Sequence, residues 1–280
     1  MLTNKLPGGN AVGGITVLYD EVFIVRYELP ALEVYDSETL SLRSSIPVSE
    51  LRRPCDIAAS VRYSCLYVAD PHGRSGSCVH RIQLNAKFET YWKVNDRPDG
   101  ISATLDGRNV IVISEAVRKI YEYTTDGHLI RRLGLHEDIV HPMHAVQLDF
   151  DQFAVCYGHP MNVHQRVCFV ECKESQVMHI YDPSGPREGD TAQLGNPTHM
   201  VADDQKFILI ADKGKKAVLL YNPFLKVFSE LITVQDADRE HWAPNRLCLD
   251  KTRSRLYVAD YKNKDVLVFK VKDILVSTNI

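Results

Sequence analysis

The sequence predicts an all-β fold, a six-bladed β-propeller of four-stranded antiparallel blades. Two periodic markers carry this expectation. The first is an apolar pentapeptide ending on a turn residue: Leu66-Tyr67-Val68-Ala69-Asp70, repeated as Leu256-Tyr257-Val258-Ala259-Asp260. Looser copies are Phe23-Ile24-Val25-Arg26-Tyr27, Ile111-Val112-Ile113-Ser114-Glu115, Phe153-Ala154-Val155-Cys156-Tyr157 and Ile208-Leu209-Ile210-Ala211-Asp212. The second marker is a proline that opens five units, Pro54, Pro98, Pro142, Pro197 and Pro244, at spacings of 44, 44, 55 and 47 residues. Each proline precedes the end of the next pentapeptide by 15 to 17 residues. Two markers that keep phase over five units, with several short strands in each, fit a propeller rather than a helical solenoid.

Unit one, residues 12–50, has Gly13-Gly14 where the others have proline, and terminal repeats are commonly atypical. In unit two, Asp56-Ile57-Ala58-Ala59 supplies strand a, the pentapeptide strand b and residues 79–84 strand c. Strand b is uniformly apolar, as befits a strand covered on both faces by neighbouring blades. Unit three adds strand c at residues 119–123, a hairpin turn at Thr125-Asp126-Gly127 and strand d at residues 128–133. Unit four has strand c at residues 167–170. The long interval that follows falls on a Pro/Gly-rich polar stretch, residues 182–190, which reads as a surface loop. Units five and six have strand c at residues 218–221 and 266–269.

A ring of blades must close, because an open edge strand invites aggregation. Residues 1–7 resemble a strand d and are expected to complete the last blade from the opposite terminus, in preference to Ile274-Leu275-Val276-Ser277. The 280 residues then form a single domain spanning 1–280.

Composition narrows the function classes. Hydrophobic residues make up 45% and charged residues 25%, with a formal net charge of -3, which disfavours a dedicated nucleic-acid binder; DNA is not an expected partner. No apolar run approaches eighteen residues and no signal-peptide pattern opens the chain, so no membrane association is expected. The seven cysteines are odd in number, lie mostly in apolar strand patterns and form no Cys-x-x-Cys. They read as buried reduced thiols of a cytoplasmic protein.

Residues 97–103, with Arg97-Pro98-Asp99-Gly100-Ile101, followed by Val117-Arg118-Lys119-Ile120-Tyr121 and Thr125-Asp126-Gly127-His128-Leu129, resemble an NHL repeat. The likeness is strong in units two, three, five and six; unit four departs from it, with Tyr157-Gly158-His159-Pro160 in place of an acidic turn. The resemblance implies a six-bladed propeller with a binding face made of d–a and b–c loops around a central channel. NHL propellers of tripartite-motif proteins bind RNA or proteins there. A distant branch, the peptide-amidating lyase, is a metal enzyme whose metal-binding histidines directly follow the proline. Here that position holds Cys55, Asp99, Met143, Thr198 and Asn245, so the ligand set is missing.

Two sets of residues are candidates for function. Two positions after each proline stand Asp56, Gly100, His144, His199 and Arg246, with Gly14 in unit one. Asp56, His144 and His199 are candidates for the channel mouth. Their residue types suit zinc, yet a structural role is the favoured reading, with no metal and no cofactor. The second set occupies the loops: Arg118, Lys119, Lys213, Lys215, Lys216, Tyr261, Lys262 and Lys264, with Trp242 and Arg246 beside Pro244. Lysines beside aromatics suit phosphates and bases, but Glu50, Asp96, Glu137, Asp138, Asp236, Asp238 and Glu240 share that face. The acidic turn residues Asp70, Glu115, Asp212 and Asp260 read as caps for turn N–H groups. No Gly-x-Ser-x-Gly and no phosphate-cradling glycine loop occurs. The expectation is a non-catalytic module binding a protein partner through its loop face. The alternatives are a single-stranded RNA binder and a propeller lyase or hydrolase with a channel metal.

Overall fold

A computed structural model describes residues 2–85, 88–158, 166–173, 176–181, 194–224 and 226–271. Strand β1 (Leu2–Leu6) precedes the first blade, which comprises β2 (Val12–Leu18), β3 (Glu21–Arg26), β4 (Ala31–Asp36) and β5 (Leu42–Pro47). Blade two is β6 (Asp56–Ser60), β7 (Cys65–Gly73), β8 (Gly76–Gln83) and β9 (Phe88–Lys93). Blade three is β10 (Gly100–Ala103), β11 (Asn109–Ser114), β12 (Lys119–Thr124) and β13 (Leu129–Gly134). Blade four is β14 (Pro142–Asp149), β15 (Gln152–Tyr157), β16 (Arg166–Lys173) and β17 (Gln176–Tyr181). Blade five is β18 (Pro197–Ala202), β19 (Ile208–Asp212), β20 (Ala217–Asn222) and β21 (Val227–Ile232). Blade six is β22 (Pro244–Asp250), β23 (Arg255–Asp260) and β24 (Asp265–Lys270), completed by β1. The six-bladed, four-stranded propeller is thus present.

Burial peaks at the second strand of each blade and falls toward the outer one. Every residue of the pentapeptide Leu66–Asp70 is at 0% exposure, while the outer strands β5 and β21 are mostly exposed. The pentapeptides are therefore the chief apolar contribution of each blade, and each fully buried Leu, Ile or Val is worth about 1.5–3 kcal/mol. Clusters form between blades rather than within one: Tyr67 and Val79 of blade two pack with Val110, Val112 and Tyr121 of blade three.

Closure follows the N-terminal expectation. β1 pairs antiparallel with β24 through Leu6↔Val266, Lys5↔Leu267 and Asn4↔Val268, and Leu6 is fully buried. Residues 274–277, the competing strand, lie outside the described residues, as does the long interval at 182–190. One contact was not foreseen: the outer strands of blades three and four meet in a single parallel bridge, Gly134↔Gln176.

In unit one the register sets Val12 at the proline position, and the two glycines after it are there for a steric reason. A Cβ on Gly13 would stand 2.1 Å from the Pro54 carbonyl oxygen, and one on Gly14 2.6 Å from the Ile57 nitrogen. Blades one and two approach too closely there for any side chain. A four-residue helix, α1 (Val234–Ala237), interrupts the loop between blades five and six. Its Asp236 carboxylate accepts the Thr233 N–H at 2.9 Å, the returning half of a capping box. Among the described residues no helix is long and apolar enough to cross a membrane.

Candidate functional site

The acidic turn residues do more than cap their own turns. Asp70 accepts the N–H groups of Arg52 at 2.7 Å and Arg53 at 3.2 Å, just before Pro54. Asp212 accepts those of Gly195 and Asn196, both at 2.7 Å, just before Pro197. Asp260 accepts that of Ala243, before Pro244, at 3.3 Å. Each carboxylate also serves its own b–c turn, through His72, Lys215 and Lys262 respectively. These three carboxylates, all at 0% exposure, latch the d–a loop to the b–c loop and fix the face on which both lie. Blade three reverses the arrangement: Asp99, after the proline, accepts the Glu115 N–H at 2.8 Å, and Glu115 faces His141 Nδ1 at 2.6 Å.

The ring of second positions converges across the channel. Asp56 Oδ2 lies 3.5 Å from His144 Nε2, Oδ1 lies 3.5 Å from His199 Nε2, and the two imidazole rings stack with centroids 3.9 Å apart. Arg246 Nε is 3.8 Å from Asp56 Oδ1 and donates to the Gly13 carbonyl at 2.8 Å, while Nη2 donates to the Cys55 carbonyl at 2.8 Å. Asp56 itself accepts the N–H groups of Ile57 and Ile101. All four side chains are buried. Burial, then His199, lowers the pKa of His144 to about 3; burial also lowers His199, against the pull of Asp56. Burial opposes the Asp56 charge, but His199, Arg246 and His144 outweigh it and hold the carboxyl below its usual range. The plug is therefore one carboxylate, one guanidinium and two neutral imidazoles.

Asp56, His144 and His199 bring one ligand atom each within 4.8 Å of one another, the one such group among the described residues. The donor chemistry does not fit a cation. His199 Nδ1 accepts the Leu247 N–H at 3.3 Å, which places the ring proton on Nε2, toward Asp56. His144 Nε2 faces two acceptors, the Ile101 carbonyl and Asp56, so it too carries its proton. A metal-ligating histidine donates from its other nitrogen; here that nitrogen accepts in His199 and has no partner in His144. Arg246 adds a positive charge beside the same carboxylate.

A nucleophile-like constellation occurs in blade two. Cys78 Sγ lies 3.2 Å from His80 Nε2, and His80 Nδ1 lies 3.0 Å from Glu89. Cys78 and His80 are almost fully buried. Burial, with Asp70 next, raises the Cys78 thiol to about 12. The thiol is protonated and enclosed, which unfits it for attack.

The loop residues separate into three groups. Trp242 is 1% exposed, packed against Phe269 at a centroid distance of 6.1 Å; it is a core residue, not a surface anchor. Its size and apolar surface are used between α1 and blade six. Arg246 likewise leaves the loop surface for the plug. Arg118 and Lys216 take left-handed turn positions, φ 51° and 54°, and their side chains donate to the carbonyls of Glu137 and Glu240. Lys119 begins β12, and the Lys215 N–H is held by Asp212. The third group gathers at the channel mouth. Lys213 Nζ stands 3.5 Å from the Tyr261 ring centroid, and its pKa is lowered by burial, then by Lys262 and Arg246. Tyr261 and Lys264 line a 520 Å³ depression with Tyr27, Arg53, His72 and Arg97. Tyr27 escaped the sequence reading: it stands in the atypical unit, and only closure of the ring sets it beside blade six.

No family model matches the chain, and no curated protein matches it. Solved structures do. The chain is similar to a Kuenenia stuttgartiensis hydrazine synthase chain, at 17% identity and TM-score 0.67 over 97% of both chains. It is similar to a Bacteroides thetaiotaomicron protein of unknown function, at 11% identity and TM-score 0.71 over 94% of this chain and 70% of that one. It is also similar to a streptogramin B lyase, at 12% identity and TM-score 0.62 over 95% of this chain and 96% of that one. At these identities the likeness speaks for the β-propeller fold alone.

Proposed function

We propose that this propeller is a non-catalytic interaction module that holds an acidic segment of a partner protein on its loop face. The observation that carries the reading is the crowding of cations at the channel mouth. Arg53 and Arg97 have carboxylate partners, Glu28 at 3.4 Å and Asp99 at 2.8 Å. Lys213, Lys262 and Lys264 have no ion pair among the described residues. Cations left close together without counter-ions repel one another and gain from an incoming anion. Tyr27 and Tyr261 offer apolar contact beside them, the composition of an interface centre. The carboxylate latches hold the loops ready, which lowers the ordering cost of binding. The resemblance of units two, three, five and six to NHL repeats supports the choice of face. The enclosed Cys78 and the committed imidazoles of the plug support a module without catalysis.

A single-stranded RNA reading draws on one observation, the lysine stacked on Tyr261, since aromatics with cations also hold bases. Fluorescence anisotropy with an Asp/Glu-rich peptide carrying one tyrosine, beside an oligouridylate of equal length, separates the two. Peptide binding that weakens at least tenfold on Lys213→Glu plus Lys264→Glu supports the protein reading. Oligouridylate binding without peptide binding transfers the function to RNA, and binding of neither overturns both.

A further inference from the structure

We propose that the channel beneath the plug is a pocket for a compact neutral molecule, apolar apart from one hydrogen-bond donor. This site faces away from the loop face and does not rest on the reading given for it. The stacked rings of His144 and His199 close its inner end, and the space that remains is 280 Å³. Its walls are the innermost strands of the blades, with side chains such as Ile15, Ala59, Ala103, Val201 and Leu249.

No residue lining it carries a formal charge at neutral pH, in a chain of which 25% is charged. The neutrality extends to its floor, because Asp56 and Arg246 offset each other behind two uncharged imidazoles. The opposite end is open and also apolar. Val61 and Leu105, in the a–b turns of blades two and three, stand at the rim at 66% and 62% exposure. A concave wall of mostly apolar side chains with polar groups set among them is the usual form of a small-molecule site.

The few polar groups decide which ligand is accepted. Gln147 is held in place from both sides: Oε1 accepts the Leu105 N–H at 3.0 Å and Nε2 donates to the Phe150 carbonyl at 3.1 Å. Ser102 Oγ donates its proton to the Ala145 carbonyl at 2.9 Å and keeps its lone pairs. A hydroxyl keeps acceptor capacity after it has donated. With the hydroxyl of Thr16 and the spare lone pair of Gln147 Oε1 on the same wall, the channel offers acceptors, Ser102 among them, and nothing to neutralise a charged ligand. A one- or two-ring molecule with a single O–H or N–H matches the size and this polarity.

Indole is a suitable probe, and indene is its counterpart without the N–H. Titration calorimetry is expected to show one indole per chain, with indene at least threefold weaker. Ser102→Ala should bring indole down to the indene level. Ala103→Trp and Ala202→Trp fill the channel from two different blades at the same level of the repeat, so one informative variant remains if the other fails to fold. A variant that melts like the wild type should bind indole at least tenfold more weakly and still bind the acidic peptide as the wild type does. Absence of indole binding, or binding unchanged in a folded channel-filling variant, overturns the pocket. Equal affinity for indole and indene overturns the role of Ser102.

Discussion

The Nη1 nitrogen of Arg26 donates to the main-chain carbonyl of Lys264, 238 residues further along the chain, at 2.9 Å. The same guanidinium donates to the carbonyls of Pro7 and Asn10 and pairs with Glu33 at 2.8 Å. At 2% exposure it is a buried cation whose donors are spent on joining blade one to the β1–β24 seam. Removing it strands three carbonyls and a carboxylate, so Arg26→Met should cost about 3 kcal/mol in urea denaturation. Deleting residues 2–8 removes the seam itself and should lower the melting temperature by more than the substitution does. An unchanged melting temperature would show that the ring closes in another way.

Acid should loosen the plug before it titrates the carboxylates elsewhere. The unfolded chain binds protons at His144 and His199 near pH 6.5, whereas the fold holds both imidazoles neutral, His144 down to about 3. Stability is therefore complete above pH 6.5 and falls as the pH drops toward the folded values. His144 costs about 1.4 kcal/mol per pH unit below 6.5, and His199 adds a loss of the same sign. Asp56 acts in the same direction at lower pH, since its folded pKa is depressed. Urea denaturation at pH 7.5, 5.5 and 4.5 should show the loss. His144→Phe, which keeps a ring in the stack, should flatten it.

Glycine tolerance should differ sharply between two sites. Gly13→Ala drives a methyl into the Pro54 carbonyl oxygen, a backbone group that cannot swing aside, and should cost at least about 2 kcal/mol. Gly134→Ala meets nothing within 4 Å and should leave the melting temperature within a degree or two of wild type.

The cysteines should be silent in the native state. All seven are free and buried. Burial raises Cys156 and Cys248, like Cys78, to about 12. A thiol-specific chromogenic reagent should therefore react slowly with native protein and reach seven equivalents in urea. Prompt labelling at one site would identify a segment that opens locally.

The blades were legible because Leu66–Asp70 and its copies repeat in phase with the prolines, and a repeat is a local pattern. The register even picked out Asp56, His144, His199 and Arg246. It did not show that they touch, because contact across the axis depends on closure of the ring, which no single unit encodes. For the same reason Tyr27 was missed beside Tyr261. Trp242 falls among the loop candidates in the sequence, since its neighbours Glu240, His241 and Ala243 set no apolar period that would mark it as core. The latches from Asp70, Asp212 and Asp260 were half seen: the turn was local, but the loop that each carboxylate reaches lies 17 or 18 residues back.

The seam between β1 and β24 also orders events in time. Strand β1 finds its partner only when residues 265–270 have emerged from the ribosome. Until then blade six lacks its outer strand, and β1 has nothing to pair with. Circularisation then waits for blade six, with β1 and β24 acting as the clasp for the blades made between them. Slow folding is the cost of such long-range pairing. Once fastened, fraying of either strand is resisted by the other.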